Sequence, residues 1–201
     1  MTIRNSIRQE IRGRRRALDI AARAHAAEAL TALLTALPGY HSAQHVAAYM
    51  SVDGEVDTKP LLLQAHRDGK HIYLPVLPAE HAAELRFHSW APDTAMQQNR
   101  LQILEPVASD ATGIEPRSLD LVLTPLVAFD SSGNRLGMGA GFYDRTFVFL
   151  KAGGDKPLML GLAYEFQRLE HLEEASWDVP LAGVVTECHV YFFARHKVKQ
   201  G

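Results

Sequence analysis

The segment Arg135-Leu-Gly-Met-Gly-Ala-Gly-Phe-Tyr-Asp144 sets glycines at 137, 139 and 141 between a guanidinium and a carboxylate. Glycine lets the backbone come close to a bound anion, and successive N–H groups in such a turn can point at one phosphate. Residues 121–129 upstream read as a buried strand, and residues 142–150 downstream can begin a helix. Strand, glycine turn and helix N-terminus together suit anion binding. A helix terminus contributes only about 0.3–1 kcal/mol per charge, so a polyphosphate also needs cations. Arg135 and Asp144 flank the loop where a cation and a metal ligand would be useful. The spacing is neither the G-x-G-x-x-G of dinucleotide folds nor a P-loop, which closes on Gly-Lys-Ser/Thr. A plain chain-reversing turn is the alternative use of the same glycines.

Other residues offer complementary chemistry. Arg4, Arg8 and Arg12 lie four apart, so one helix face carries all their guanidiniums beside the Ile3/Ile7/Ile11 stripe. Arginine's planar fork suits phosphate, although a solvated basic face paired with Glu10 or Asp19 would look the same. Glu55, in Asp53-Gly-Glu-Val-Asp57, stands at a strand-to-helix junction where a carboxylate could accept hydrogen bonds from a heterocycle or simply be solvated. Asp57 is read more simply as a helix cap. The chain has 10 histidines, but none in H-E-x-x-H context, and Cys188-His189 is adjacent rather than at chelating spacing, so a zinc site is rejected. There is no G-x-S-x-G elbow, and Cys188 falls in an expected strand, which leaves a hydrolase triad unsupported. The Trp177-Asp178-Val-Pro180 stretch reads as a turn in which Asp178 is structural.

The elements that must position these groups alternate. A long N-terminal helix is expected from Ile3 toward Leu37, stopped by Pro38-Gly39. Strands are expected over 45–50, 71–77, 85–90, 121–129, 158–164 and 184–193, with a helix capped at Asp57 or Thr58 running to about Arg67. Residues 78–116 are otherwise loop-rich. This pattern predicts a single compact α/β domain over 1–201, with a mostly parallel central sheet covered by helices on both faces. Ligands in such sheets sit beyond the carboxyl ends of strands, which is where residues 50–55 and 130–144 fall.

At 201 residues and 47% apolar, the chain is large enough for a sizeable core. A net charge of −2 gives no reason to expect nucleic-acid or acidic-membrane binding. One cysteine precludes an internal disulfide and suits a reducing compartment. Neither a membrane-span run nor a secretory pattern is visible, so a soluble cytoplasmic protein is expected; it is expected to act as a monomer.

Separated blocks then coincide with one family. The chain resembles 5-formyltetrahydrofolate cyclo-ligase, also called methenyltetrahydrofolate synthetase. Pro125-Leu-Val-Ala-Phe-Asp130 followed by Arg135 to Asp144 matches its most recognisable block, Arg4 and Arg8 match its opening helix, and Met50-Ser-Val-Asp-Gly-Glu55-Val-Asp-Thr58 a third block. Leu160-Gly-Leu-Ala-Tyr164, Gln167, Trp177-Asp178-Val-Pro-Leu181 and Val184-Val-Thr186 extend the match in consistent order from about residue 4 to 190. The resemblance implies ATP- and magnesium-dependent closure of 5-formyltetrahydrofolate, which can be polyglutamylated, to 5,10-methenyltetrahydrofolate. It implies ATP contacts from Arg4, Arg8 and the loop Arg135, Leu136, Gly137, Met138, Gly139, Ala140, Gly141, Phe142 and Tyr143. It implies folate contacts from Met50, Glu55 and residues Met138, Gly139, Ala140, Gly141 and Phe142, chemistry centred on Arg135 and Tyr143, and magnesium held by Asp144.

The chain departs from the family pattern at Met138, where a basic or polar residue is common, and at Ala140, where lysine or glycine is. Phe142 replaces a frequent tyrosine, and Ala182 stands where many members carry a second metal-assisting acid. These departures keep open a catalytically impaired regulator that binds folate or nucleotide on the same scaffold. A sugar-phosphate isomerase or acyl transferase on a related fold would need no ATP, but leaves Arg4, Arg8 and Glu55 unexplained.

Overall fold

The computed structural model describes residues 2–77, 84–154, 156–173 and 175–193. Helices α1 (Ile3–Ala17), α2 (Ile20–Thr35), α3 (Pro38–Ser42), α4 (Lys59–Arg67) and α5 (Phe142–Thr146) surround three sheets. The strands are β1 (His45–Ala47), β2 (His71–Val76), β3 (Arg86–Trp90), β4 (Met96–Gln98), β5 (Leu104–Pro106), β6 (Gly113–Ile114), β7 (Leu121–Pro125), β8 (Ala128–Asp130), β9 (Arg135–Leu136), β10 (Leu158–Leu162), β11 (Arg168–Leu169), β12 (Gly183–Val185) and β13 (Val190–Phe192).

The main sheet runs β13-β12-β10-β7-β1-β2-β3-β6. Its central strands, from β12 to β2, are parallel, and antiparallel strands close both edges. From β1 the chain proceeds to β2 on one side, whereas β7, β10 and β12 succeed one another on the other. The order therefore reverses between β1 and β7. Loops leaving the carboxyl ends of those two strands diverge to opposite faces and open a crevice, the usual ligand position in such sheets.

Two apolar layers sandwich the sheet. On one face Ala26, Leu30 and Leu34 of α2, Tyr40 of α3 and Leu61, Leu62 and Ala65 of α4 pack on Val46, Ile72, Leu74, Leu121, Leu123 and Leu160. On the other, Phe147, Leu150 and Phe129 pack on Ala47, Val122, Met159 and Val184. That second face is covered by short α5, a 3-10 turn over Val148–Ala152 and the small β11-β8-β9 sheet rather than by long helices.

The expected N-terminal helix is broken. Leu18 is extended, and Asp19 caps α2 by accepting the Ala22 N–H at 2.7 Å. Asp competes with the helix interior but is a strong N-cap, so it starts a second helix instead of continuing the first. Helix α2 ends at Thr35, just ahead of Pro38-Gly39 as expected, and Pro38 then opens α3, because proline fits the first helical turn. Residues 121–129 form two strands, not one, since Leu126 and Val127 turn the chain from the main sheet into the small one. Likewise 184–193 is a hairpin, and Cys188 lies in its turn rather than in a strand. Within 78–116, residues 78–83 lie outside the described residues, while the remainder carries β3 to β6.

Helix α1 docks away from the main layers. Its Ile11, with Ile7 beside it, packs against Val127, Ala128, Leu136 and Leu172. Burying one isoleucine contributes about 1.5–3 kcal/mol. The stripe therefore fixes α1 against β8 and β9, which lead into and out of the 130–135 turn and on to the glycine loop. Arginines on the flanks of that stripe are thereby carried to both loops of the crevice.

Candidate active site

The glycine loop is held at its ends. Arg135 is buried; its Nη2 lies 2.5 Å from Asp144 Oδ1, and its Nη1 donates to the Val179 carbonyl. The Val179 N–H returns a 3.0 Å bond to the same Asp144 oxygen. Arginine, aspartate and the backbone N–H and carbonyl of Val179 thus form a closed clasp that draws residues 135 and 144 together, with the glycines bulging between them. Burial pulls the Arg135 pKa down and Asp144 opposes that fall; the guanidinium stays charged. Inside the loop, Gly139 has φ +108° and Gly141 has φ +64°, conformations that a side chain would strain. Gly137 differs: its φ is ordinary and a Cβ there would meet nothing within 4 Å among the described residues. Helix α5 spans only Phe142–Thr146, shorter than the 142–150 expected, so its dipole offers little to an anion. Charge at this loop comes from arginines.

Besides Arg135, those arginines come from α1. Arg8 Nε donates to the Gly137 carbonyl at 2.9 Å and its guanidinium lies 3.7 Å from where a Gly139 Cβ would be. Burial and the neighbouring Arg4 lower the Arg8 pKa, while Asp178 raises it. Arg4 Nη2 sits 3.5 Å from Asp178 Oδ2. A cleft of about 200 Å³ opens beside them, walled by Ile3, Ile7, Leu136 and Leu172 and edged by Arg4 and Arg135. Arg12, the third of the series, turns to the other loop.

That loop follows β1. Glu55 is 9% exposed; its Oε2 accepts the Val52 N–H at 3.2 Å and its Oε1 lies 3.8 Å from Arg15 Nη1. Burial pushes its pKa up to about 7, against the pull of the Val52 N–H and Arg15. Arg15 itself is 0% exposed and reaches Asp53 Oδ2 at 3.2 Å. Arg12 and Arg16 converge on Asp53 as well, each with Nε at 2.5 Å. Burial would raise the Asp53 pKa, but those guanidiniums outweigh it and hold it low. The basic helix is therefore paired through Asp53 and Asp178, not Glu10 or Asp19. Arg14 lies over the Phe166 ring at 4.4 Å. Thr58 occupies the N-cap position of α4, where its hydroxyl donates to the Tyr49 carbonyl, and Asp57 just before it accepts the Lys59 N–H at 3.0 Å. Met50 is half-buried against the core beside this loop.

The two loops meet at tyrosines. The hydroxyls of Tyr49 and Tyr143 are buried with no hydrogen-bond partner among the described residues. Burial raises both pKa values, and the Glu55 carboxylate, within electrostatic reach of each, raises them further. Tyr143 also senses Arg135. An unpartnered buried hydroxyl costs about 1–3 kcal/mol, which a ligand could recover by hydrogen bonding.

The model of the 5-formyltetrahydrofolate cyclo-ligase family matches residues 1–187. The Escherichia coli K12 5-formyltetrahydrofolate cyclo-ligase is 42% identical over 182 residues, covering 90% of this chain and 98% of that one. Its Haemophilus influenzae counterpart is 40% identical, covering 90% and 96%. The chain belongs to the 5-formyltetrahydrofolate cyclo-ligase family. Among solved structures, an Aquifex aeolicus 5,10-methenyltetrahydrofolate synthetase superposes with a TM-score of 0.81 at 30% identity, covering 100% of this chain and 97% of that one. A Mycoplasma pneumoniae 5,10-methenyltetrahydrofolate synthetase shares the fold, with a TM-score of 0.71 at 24% identity over 92% and 99% of the two chains.

Against the family pattern, Met138 is 45% exposed on the loop and Ala182 is buried in the core just before β12, so neither supplies a charge. Asp144 engages only Oδ1 in the clasp; its other oxygen accepts nothing among the described residues. A hard carboxylate oxygen beside a loop suited to phosphates fits magnesium, which takes one or two carboxylates and fills its shell with phosphate and water.

Sequence reasoning missed Arg15, Asp53 and Tyr49, and set Asp178 aside. Arg15 had a signal: it follows Ile7 and Ile11 at helical spacing, and an arginine in an apolar stripe must find buried acids. Asp178 had none, because its place beside Arg4 depends on how 175–180 folds back.

Proposed function

We propose that this chain catalyses ATP-dependent closure of 5-formyltetrahydrofolate to 5,10-methenyltetrahydrofolate, releasing ADP and phosphate. The observation that carries this is the convergence of Arg8 from α1 and Arg135 from β9 on one glycine loop, whose Tyr143 lies within electrostatic reach of the buried Glu55. The formyl group is an amide, with a weakly electrophilic carbon and a poor leaving oxygen. Attack of that oxygen on the γ-phosphorus breaks the bond to ADP and makes a phosphate ester. N10 then attacks the carbon, loses its proton, and the C–O bond breaks as phosphate departs. Phosphoryl transfer asks chiefly for positioning and charge neutralisation, which accounts for the lack of a general-base dyad among the groups gathered at this site.

Arg8 and Arg135 would neutralise phosphate charge while the backbone at 137, where no side chain intrudes, lies against the polyphosphate. Arg4 and Asp178 would border the nucleotide. Magnesium, held by Asp144 together with phosphate oxygens and water, would supply further neutralisation of the β- and γ-phosphates. Glu55 and the Tyr49 and Tyr143 hydroxyls would hydrogen-bond the polar end of the folate, with Met50 and Phe142 as apolar neighbours.

Purified protein mixed with 5-formyltetrahydrofolate and MgATP at mildly acidic pH should develop the near-ultraviolet absorbance of the methenyl product, and omitting ATP should abolish it. Ala182, which deprives the site of a second acid, favours one other reading: a regulator that binds these ligands without turnover. Saturable ATP and folate binding with no absorbance growth would establish that alternative.

A further inference from the structure

Outside the crevice, a second group of ligating side chains gathers on the loops after β10 and β12. Glu165 begins a 3-10 turn just past β10, and Cys188 and His189 sit in the turn that joins β12 to β13. The side-chain donor atoms of Glu165, Cys188 and His189 all lie within 4.8 Å of one another. Adjacency of Cys188 and His189 argued against chelation in the sequence, yet the parallel pairing of β10 with β12 supplies a third ligand 23 residues away from Cys188 in the chain.

We propose that Glu165, Cys188 and His189 form a binding site for a divalent cation of the zinc class, distinct from the nucleotide site. The ligand set is one thiol, one imidazole and one carboxylate, a mixture suited to zinc rather than to magnesium or calcium. Donors around tetrahedral zinc lie about 3.3–3.8 Å apart, given bonds of about 2.0–2.3 Å, so contraction of roughly 1 Å completes the set. Exposed Cys188 and His189 on a turn can make that movement.

The carboxylate is already aimed. Thr186 donates to Glu165 Oε2 at 2.7 Å and Tyr191 to Oε1 at 2.5 Å, leaving the second lone pairs for a metal. Such outer hydrogen bonds orient metal-binding carboxylates. A water would fill the fourth position, while Glu187, whose carboxylate accepts the Glu165 N–H at 2.9 Å and lies beside the Cys188 thiol, holds the two loops together. Among the described residues the ion-pair partner of Glu165 is His189 alone, at 3.6 Å, so no lysine or arginine occupies the place of the cation. As the metal–sulfur bond forms, the thiol proton leaves to solvent.

Cobalt(II) is the probe, because it replaces zinc and reports its ligands in absorbance. Titrated into the full chain with excess magnesium present, Co2+ should bind at one equivalent. It should give a near-ultraviolet thiolate charge-transfer band and visible bands of tetrahedral intensity, all displaced by one equivalent of Zn2+. Cys188→Ser should remove the charge-transfer band, and Glu165→Gln and His189→Asn should each weaken Co2+ binding at least tenfold. Absence of the band, or a smaller loss in either variant, would overturn the site and leave a lone surface thiol. Should Glu165→Gln disturb the fold by circular dichroism, the exposed His189→Asn decides alone.

Discussion

The two loops of the crevice are built in opposite ways. The loop after β1 is buried and crowded with charge: Asp53 holds Arg12, Arg15 and Arg16, and Glu55 is buried beside Arg15. The glycine loop is exposed along Met138–Ala140 and is held by the Arg135–Asp144 clasp and the Arg8 contact. Buried, hydrogen-bonding surroundings suit an uncharged heterocycle, whose donors can be paired individually. An open loop with backbone amides and arginines suits a polyphosphate, whose charge must be spread over many groups. One crevice can therefore hold two unlike substrates because rigidity is concentrated on one side and access on the other.

Breaking the clasp tests the open side most severely. Arg135→Ala leaves Asp144 without its cation, and removing one partner of a buried pair costs about 3–5 kcal/mol. Asp144 is 17% exposed, so the lower end is expected, with turnover reduced at least about a thousandfold. Asp144→Asn keeps a hydrogen-bonding acceptor for Arg135 but loses the charge. Its thermal midpoint should fall, because buried Arg135 loses its counter-charge, but by less than in Arg135→Ala, since the amide oxygen can still accept from Arg135 and Val179. Turnover should fall about a hundredfold or more and the magnesium requirement rise. Undiminished turnover in Asp144→Asn would reduce this residue to a loop fastener.

Glu55→Gln tests the buried side. Folate affinity should drop about 10- to 100-fold, with ATP affinity within twofold of the parent; equal losses for both ligands would erase the division between the loops. The same variant carries a pH signature. With its folded pKa raised from 4.5 to about 7, Glu55 binds more protons in the folded than in the unfolded chain between those values. Stability of the free protein should therefore fall as pH rises from about 5 to 8, by roughly 1–3 kcal/mol. Denaturant unfolding at several pH values should show this slope in the parent and its loss in Glu55→Gln.

A glycine pair sharpens the contrast within the open loop. Gly139→Ala forces a left-handed conformation on a side chain, costing about 1–2 kcal/mol. Gly137→Ala meets no neighbour and should leave stability unchanged or slightly higher, yet weaken ATP binding about tenfold by occupying the space a phosphate needs. If Gly137→Ala binds ATP normally, position 137 faces solvent rather than nucleotide.

How much of this was legible depends on the range of the interactions. The glycine spacing, the Ile7/Ile11 part of the helical stripe and the β-like runs expected over 71–77 and 158–164, which form strands over 71–76 and 158–162, are local patterns that the sequence shows. The helix break at Asp19 was local too, but capping outweighed a periodicity that runs through it. The clasp was not legible. Its third member is the backbone of Val179, and backbone groups leave no residue-type signal. Nor was the triple pairing on Asp53, which needs a helix and a loop 38 residues apart to touch. The Glu165–Cys188–His189 group escaped for the same reason: sheet register, not sequence spacing, brings its members together.

The smallest effect is expected at Arg12. Its guanidinium is one of three on Asp53, and side chain 12 is about one-third exposed, so losing it leaves the carboxylate paired with Arg15 and Arg16. Partly exposed ion pairs contribute about 0.2–1 kcal/mol, and Arg12→Ala should lower stability by no more than that. If Arg12 serves only to hold the loop, folate and ATP affinities should stay within about twofold. A tenfold loss of folate affinity with stability intact would instead place Arg12 at the mouth of the buried side, and the charge on Asp53 would then organise a binding surface as well as a fold. Measuring both quantities on one variant separates these roles, because removing a tether weakens stability first and removing a ligand contact weakens affinity alone.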